Sequence, residues 1–165
     1  MKERKIDIII KEYEFDELGP EDKNLIEAAK ESTKNAYAPF SGFHVGAAIL
    51  LDDGTVVKGA NQENAAFSSG TCAERSACFY AGANFPGKKM KKIAIAAWTR
   101  HDHSENDSFE DCFQAKPISP CGSCRQALLE YETLHGPMEV LLYGKDVVYV
   151  FPSVASLLPF CFTEF

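Results

Sequence analysis

The succession of apolar patterns along the chain predicts an α/β fold with three layers (α/β/α), in which helices cover both faces of a mixed five-stranded sheet. The patterns follow the order helix, strand, strand, helix, strand, helix, strand, strand. The run over residues 93–98 is apolar on both faces, which is typical of a central buried strand. The length of 165 residues suits a single domain, and neither an internal repeat nor a long linker indicates a second one.

An extended N-terminal arm is predicted over residues 1–19, before a main domain over residues 20–165. Isoleucines recur at every second position at Ile6, Ile8 and Ile10, a period that fits an extended arm or an edge strand. The arm carries no residue pattern that indicates a function.

The first elements of the main domain follow from helix and turn signals. A helix is predicted to begin at Gly19-Pro20 and to end before Pro39, because proline is accepted in the first helical turn and breaks a helix interior. Two strands, over residues 45–51 and 56–57, are predicted to form a hairpin. Asp53-Gly54 lies between them and is typical of a tight type I′ turn.

Six further elements, three helices and three strands, are predicted for the rest of the chain. In order they are a helix that begins near Cys72, the buried strand over residues 93–98, a helix that begins near Cys121, strands over residues 138–143 and 147–151, and a final short helix capped by Ser153.

Three cysteines are predicted to hold a metal ion. Cys72 opens one predicted helix, whereas Cys121 and Cys124 follow Pro120 in the first turn of another. The free N–H groups and the positive dipole at a helix start favour the thiolate form that a metal requires. Three sulfur ligands suit zinc and leave its fourth tetrahedral position for water. We therefore expect one zinc ion (Zn²⁺) per chain, held by Cys72, Cys121 and Cys124.

The two charged residues after Cys72 are predicted to support this metal. Glu74 is expected to lie beside the ion without binding it, which is the position of a general acid/base that acts on a water molecule. Arg75 is expected to form hydrogen bonds with the sulfurs, which would weaken their electron donation to the metal.

Two other interpretations of the cysteines stay open at this point. The Cys-x-x-Cys spacing also fits a redox pair or half of a structural zinc site. A structural site needs a fourth ligand, and the spacing singles out none of the candidates His44, His101, His103 and Cys112. The polar stretch 101–116 is predicted to be a solvated loop rather than a second metal cluster.

Taken together, the motifs resemble those of the zinc-dependent cytidine deaminases of the small homotetrameric class. Cys-Ala-Glu-Arg at residues 72–75 and Pro-Cys-x-x-Cys at residues 120–124 carry the resemblance. Three further segments resemble family segments in the same order, at residues 36–48, 61–67 and 157–162. The resemblance implies a cytidine-deaminase-like fold for the domain at 20–165.

The resemblance also implies an activity, the hydrolytic deamination of cytidine and deoxycytidine to uridine and deoxyuridine plus ammonia, as in pyrimidine salvage. Glu74 would transfer protons from water to the base and to the departing amine. Asn61 and Glu63 would bind the ribose, and Phe43 would pack on the base or the sugar. Backbone N–H groups near Ala73 would hold the edge of the pyrimidine.

A homotetramer with shared active sites is implied as well. The apolar tail matches a family segment in which a phenylalanine, here Phe162, completes the active site of a neighbouring subunit. The sequence departs from the family pattern outside the catalytic residues: Phe40 and Phe67 replace expected tyrosines, and His44 replaces an expected proline.

Composition limits the partners. A net charge of −7 argues against nucleic acid, so we expect a small nucleoside substrate. No apolar run has membrane length, the N-terminal sequence is too charged for a secretory signal, and six cysteines suit a reducing compartment, so we expect a cytoplasmic protein that does not bind membranes. Three alternatives stay open: an antibiotic deaminase of the blasticidin type, a tRNA-editing deaminase, and a non-enzymatic zinc-binding interaction module.

Overall fold

The structure, a computed structural model, describes residues 1–100 and 107–163. Helices cover both faces of one mixed sheet, so the predicted α/β/α fold is confirmed. The elements are β1 (Lys11–Tyr13), α1 (Pro20–Ser32), β2 (Phe43–Leu51), β3 (Val56–Ala60), α2 (Ala73–Asn84), β4 (Met90–Thr99), α3 (Gly122–His135), β5 (Glu139–Tyr143) and β6 (Val148–Phe151). No helix within these ranges is long and apolar enough to cross a membrane.

The sheet has six strands in the order β1-β6-β5-β4-β2-β3, so the predicted number of five is wrong. The additional strand lies in the N-terminal arm, where Lys11 pairs with Val150 and Tyr13 pairs with Val148 of β6. Without β1, the outer edge of β6 would expose unpaired backbone groups. The strand has only three residues, and its alternation is too short to distinguish an edge strand from an extended arm.

The centre of the sheet is formed by β2 and β4, which pair antiparallel, while β4 and β5 pair parallel. As predicted, β4 is buried on both faces. Ile93 and Ile95 point towards the layer of α2 and α3, and Ala94 and Ala96 point towards α1. The small alanines allow α1 to pack close to the strand.

Gly59 on β3 brings the start of α2 against the sheet. A Cβ atom at this position would lie 2.5 Å from the backbone oxygen of Ala73, the first residue of α2. Any larger residue would push the N-terminus of α2 away from the sheet. The candidate metal centre depends on this close packing, because Cys72 caps the same helix end.

The hairpin between β2 and β3 is present, but the predicted type I′ turn is wrong. A type I′ turn requires positive φ at both central residues, whereas Gly54 has φ +87° and no residue other than glycine has positive φ within the described ranges. The Gly54 N–H donates to Leu51 and the Leu51 N–H donates to Thr55, at 3.1 and 2.9 Å. The loop is therefore longer, with only its glycine in the left-handed region.

Residues 107–116 are mostly exposed, in agreement with the predicted solvated loop, but Phe109 and Phe113 pack against the α1 side of the sheet. Phe113 is only 2% exposed, and Gln114 donates its N–H to Ala97 of β4 at 3.0 Å. The buried ammonium of Lys30 on α1 binds Glu110. Aromatic anchors therefore fix a segment whose overall composition is polar. Three residues considered for a second metal cluster, His101, Asp102 and His103, lie outside the described residues.

Lys92 connects three elements through carboxylates. Its Nζ lies 2.6 Å from Asp22 and 3.1 Å from Glu21, both on α1, and 3.1 Å from Glu139 on β5. Burial alone would lower the pKa of Lys92, but these hydrogen bonds outweigh it and raise the pKa. The hydrogen bond from Lys92 lowers the pKa of Glu21.

We predict that Lys92→Met lowers the free energy of unfolding by roughly 1–3 kcal/mol at neutral pH, because three carboxylates lose their shared cation. A carboxylate with a lowered pKa stabilises the fold above its unfolded pKa, and this stabilisation is lost as the pH falls through the folded value. The difference from wild type should therefore shrink below about pH 4 in urea unfolding experiments. Lys91→Met is the matched control, because Lys91 is 42% exposed and lies 4.0 Å from Glu21. Equal losses in the two variants would contradict the prediction.

Candidate metal centre and adjoining pocket

The candidate metal centre lies where the N-termini of α2 and α3 meet. Cys72 is the N-cap residue of α2, Cys121 is the N-cap residue of α3, and Cys124 follows in the first turn of α3. The Sγ atoms of Cys72 and Cys121 are 4.0 Å apart, and those of Cys121 and Cys124 are 3.5 Å apart. All three sulfurs lie within 4.8 Å of one another, so the structure brings the three predicted ligands together.

The donor set fits zinc. Two sulfurs that bind one tetrahedral zinc ion at about 2.3 Å are about 3.8 Å apart, and the two measured separations bracket this value. Soft thiolate ligands select zinc over hard cations such as magnesium. Both helix ends direct positive dipoles at the sulfurs, which favours the ionised form.

The ionisation of the cysteines is uneven. A hydrogen bond from the thiol of Cys124 is the main cause that lowers the pKa of Cys72 to about 5, and Arg75 contributes in the same direction. The pKa of Cys124 is raised, mainly by its contact with Cys72 and by burial. Three thiolates at these distances repel one another, so their full ionisation requires a cation between them.

Glu74 is a buried carboxyl group beside the sulfurs. It is only 4% exposed, and it lines the same cavity as Cys72 and Cys121. Burial raises the pKa of Glu74, and the negative charge of Cys72 raises it further. A carboxyl group whose pKa lies above its usual value can accept and release a proton nearer to neutral pH, which is the property that a general acid/base requires.

A cavity of about 240 Å³ opens beside these groups. Residues from four segments of the chain line it, and they include Ser41, Phe43, Asn61, Glu63, Ile118 and Ser119. A second cavity of about 310 Å³ adjoins it and shares Asn61, Glu63 and Cys72 with it. None of residues 107–116 lines either cavity, so this part of the polar stretch does not cover the pocket.

Asn61 holds the wall of the pocket together. Its side-chain oxygen accepts a hydrogen bond from the Val45 N–H at 2.8 Å, and its Nδ2 donates to the Phe43 oxygen at 2.9 Å. The amide thereby fixes the strand that carries the Phe43 side chain. One N–H and one acceptor position of Asn61 remain beyond these two bonds.

Glu63 forms the outer wall of the same pocket. Its Oε2 accepts hydrogen bonds from the N–H groups of Phe40 and Ser41 at 2.9 and 3.3 Å. A hydrogen bond from the Ser41 hydroxyl is the main cause that lowers the pKa of Glu63. The two carboxyl groups of the pocket therefore differ: the pKa of Glu63 is lowered, whereas the pKa of Glu74 is raised.

The other predicted site residues lie at the edge of the pocket or outside it. Ala73 is fully buried as the first residue of α2, where a backbone N–H has no acceptor within the helix. Arg75 lies beside the sulfurs and lines the adjoining cavity. Phe162 lies outside the lining of both cavities and is 63% exposed.

The remaining described candidates for a fourth metal ligand lie elsewhere. His44 stacks on Trp98 with ring centroids 4.0 Å apart and belongs to no metal-binding cluster within the described ranges. Cys112 lies in the segment that packs on the α1 side, where its Sγ contacts the backbone oxygen of Ser108 at 3.4 Å. His101 and His103 are outside the described residues. The cluster therefore keeps three protein ligands within residues 1–100 and 107–163, which is typical of a catalytic rather than a structural zinc site.

Sequence reasoning missed four residues of the pocket, which are Ser41, Val45, Ile118 and Ser119. Ile118 and Ser119 directly precede the motif at Pro120-Cys121, so their proximity to a metal ligand is a signal that could have identified them. Ser41 and Val45 lie in the segment 36–48 that resembles the family, but the contact of Ser41 with Glu63 joins residues 22 positions apart, which no local pattern predicts.

The mixed sheet and the three-sulfur cluster at two helix starts define a metal-binding α/β domain. The model of the cytidine and deoxycytidylate deaminase zinc-binding region matches residues 20–135. The chain therefore belongs to the cytidine and deoxycytidylate deaminase family. The resemblance to the zinc-dependent cytidine deaminases is confirmed, and the homotetrameric class stays a prediction.

Relatives and solved structures agree with this assignment. The chain is 36% identical to the cytidine deaminase of Sporosarcina psychrophila over 86% of its own length and 91% of that protein. It is 34% identical to a probable cytidine deaminase of Dictyostelium discoideum, over 86% and 84% of the two chains. The cytidine deaminase structure from Burkholderia pseudomallei superposes with a TM-score of 0.67 at 40% identity, covering 84% of this chain and 97% of that one.

We predict that Asn61→Ala lowers the free energy of unfolding by about 1–2 kcal/mol, because it leaves the Val45 N–H and the Phe43 oxygen without their side-chain partner. Chemical denaturation measures this loss in the absence of substrate. Asn64→Ala is the matched control, since Asn64 accepts a hydrogen bond only from a nearby exposed N–H, that of Ala66 at 2.9 Å. If both variants are as stable as wild type, Asn61 has no structural role and contributes only to ligand binding.

Proposed function

We propose that this protein is a zinc-dependent hydrolase that converts cytidine and deoxycytidine into uridine and deoxyuridine with release of ammonia, a step of pyrimidine salvage. One observation carries the proposal: the buried carboxyl of Glu74 lies in the same cavity as two sulfurs of a three-cysteine cluster. Proteins named cytidine deaminases are similar to the chain over most of its length.

Cys72, Cys121 and Cys124 would hold one zinc ion per chain. When bound, zinc supplies Lewis acidity, which lowers the pKa of a water molecule and provides a nucleophile at neutral pH. Glu74 accepts the proton of that water and passes it to N3 of the cytosine ring, which makes C4 more electrophilic. The water oxygen would bond to C4, and Glu74 would then transfer the second proton to the amine as the C4–N bond breaks, so that cytidine and water give uridine and ammonia. The raised pKa of Glu74 suits both the acceptance and the release of a proton.

The pocket wall would select a nucleoside. Phe43 offers an apolar ring to the base or the sugar, and Asn61 retains one donor and one acceptor for a sugar hydroxyl. The ionised carboxylate of Glu63 accepts well from a hydroxyl and repels a phosphate. The free N–H at Ala73, at the start of α2, suits a carbonyl at the pyrimidine edge. We also propose a cytoplasmic location, because all six cysteines are free and suit a reducing compartment.

A substrate panel tests this function. We expect zinc-loaded protein to release ammonia from cytidine and deoxycytidine, with a kcat/KM at least about tenfold lower for their 5′-monophosphates. The reason is that the negative charge of the Glu63 carboxylate repels a phosphate bound in the same pocket. Glu63→Gln should reduce the difference in kcat/KM between the nucleosides and their 5′-monophosphates. Equal kcat/KM for nucleosides and their 5′-monophosphates would refute the nucleoside preference. If the protein deaminates blasticidin and not cytidine, the antibiotic-deaminase alternative is correct.

The matched control for the chemistry is Glu74→Gln. It keeps the shape of the side chain but cannot transfer protons, so turnover should fall at least ~100-fold. Zinc content should stay at one ion per chain, measured by atomic absorption, because Gln replaces no sulfur. Near-normal turnover of this variant would remove Glu74 from the mechanism and favour a structural zinc site.

We further propose a homotetramer in which Phe162 completes the active site of a neighbouring subunit. Two observations support this. The ring of Phe162 is exposed and lies outside both cavities of its own chain. Large aromatic side chains are also exposed on α2, just before α2 and in the tail, as is typical of a surface that another subunit covers. They are Phe67, Phe79, Tyr80 and Phe160.

Mixed oligomers test the shared site. Chains with Glu74→Gln and chains with Phe162→Ala are unfolded together, reassembled and assayed at low cytidine concentration. If Phe162 acts on a neighbour, some sites regain both groups, and activity should exceed the sum of the separate variants. Chains with Glu74→Gln and Cys121→Ala serve as the control, because both changes damage a chain's own metal-centred site. A mixture with Phe162→Ala that reaches only the sum would show that Phe162 acts within its own chain or not at all.

A further inference from the structure

Arg125 connects the loop before Cys121, at residues 119–120, to the C-terminal tail at residues 157–162. It follows the ligand Cys124 on α3, and its Nε donates to the Pro120 oxygen at 2.8 Å. Its Nη2 lies 2.9 Å from the Ser119 hydroxyl. Its Nη1 donates to the Leu157 oxygen at 2.7 Å. One rigid guanidinium therefore holds two segments that are far apart in the sequence.

A second charged residue of α3 holds the other end of the same C-terminal turn. The turn Val154–Leu157 begins with N–H groups at Val154 and Ala155, which donate to the buried carboxylate of Glu132 at 2.7 and 3.1 Å. An anion at the start of a helical turn and a cation at its end both stabilise it. The helix that carries two metal ligands thus fixes this turn from both sides.

The chain beyond this turn leads to Phe162. Gln126, the neighbour of Arg125 on α3, donates from Nε2 to the Phe162 backbone oxygen at 2.7 Å. Arg125 and Gln126 therefore hold two points of the tail, Leu157 and Phe162, while Phe162 is exposed and lines neither cavity of its own chain. The position of that ring relative to the oligomer depends on these contacts.

We propose that Arg125 is a positioning residue, which sets the placement of the tail so that Phe162 reaches the nucleoside in a neighbouring subunit. The proposal deepens the proposed function and rests on it. Arg125 also contacts the loop before Cys121, whose Ser119 lines the pocket of the same chain. An effect through the tail acts on a neighbour, whereas an effect through the loop acts on the chain's own site, so the two are separable.

The first test is steady-state kinetics of Arg125→Met. We expect KM for cytidine to rise about fivefold to tenfold with kcat changed less than about threefold, because the lost ring contact contributes to binding rather than to the chemical step. Zinc should stay bound, since no sulfur is replaced. Arg125→Lys should give an intermediate KM, as a single ammonium replaces only part of the fork. Glu130→Gln, an exposed position on α3, is the matched control and should leave KM unchanged.

The second test asks whether Arg125→Met raises KM through the position of the tail. In a Phe162→Ala background, Arg125→Met should raise KM by less than about twofold further, because both changes remove the same contact. Chains with Arg125→Met and chains with Glu74→Gln, reassembled together, should regain a low KM, since the Glu74→Gln chain supplies an intact tail to an intact neighbouring site. Additive effects of the two substitutions, or mixtures without a low-KM component, would overturn the proposal.

Two controls separate this proposal from folding and from the proposed function. If Arg125→Met fails to fold or to bind zinc, Gln126→Leu is tested in its place, because it removes the hydrogen bond to the Phe162 backbone oxygen. An unchanged KM in both Gln126→Leu and Arg125→Lys overturns the proposal. If Phe162→Ala is complemented in mixtures but Arg125→Met is not, only the role of Arg125 is wrong. A wild-type chain that does not deaminate cytidine refutes the proposed function itself.

Discussion

The meeting of two helix N-termini is the constraint on which the rest of this structure depends. Three sulfurs can share one cation only if α2 and α3 start side by side, and the packing behind them serves that requirement. Gly59 lets the start of α2 approach β3, and Gly82 leaves room for Tyr131 between α2 and α3. The core on this face, with Ala77 and Leu128 fully buried, keeps the two helices in register.

The local environment gives the two carboxyl groups of the pocket different pKa values. Glu74 and Glu63 line one cavity, but burial raises the pKa of the first, and hydrogen bonds with Ser41 and Phe40 lower the pKa of the second. One carboxyl therefore suits proton transfer and the other suits a fixed negative charge. Arg75 interacts with Cys72 and Cys124, so its positive charge compensates negative charge on the sulfurs locally.

Helix α3 combines several tasks that would otherwise need separate elements. Its first turn contains Cys124, and the next two residues, Arg125 and Gln126, bind the tail. Further along the helix, the Glu132 carboxylate accepts hydrogen bonds from three backbone N–H groups, one of them that of Met138 just before β5. Because one rigid helix positions both the metal ligand and the tail, a shift of the tail relative to the metal centre requires the loss of several hydrogen bonds.

Patterns within short stretches of sequence were sufficient for much of this account. The order of helices and strands, the cysteines at two helix starts and the neighbouring Glu74 follow from local periodicity and from spacings of two or three residues, which a helix converts directly into geometry. The short spacing also explains why the three clustered cysteines could be named before the fold was known. The tertiary structure alone decided that the arm adds a sixth strand, that Phe113 is buried, that Ser41 contacts Glu63, and that Arg125 binds Leu157. Each of these joins residues that are distant in the chain, and no local period encodes which distant backbone group a side chain or an edge strand will meet.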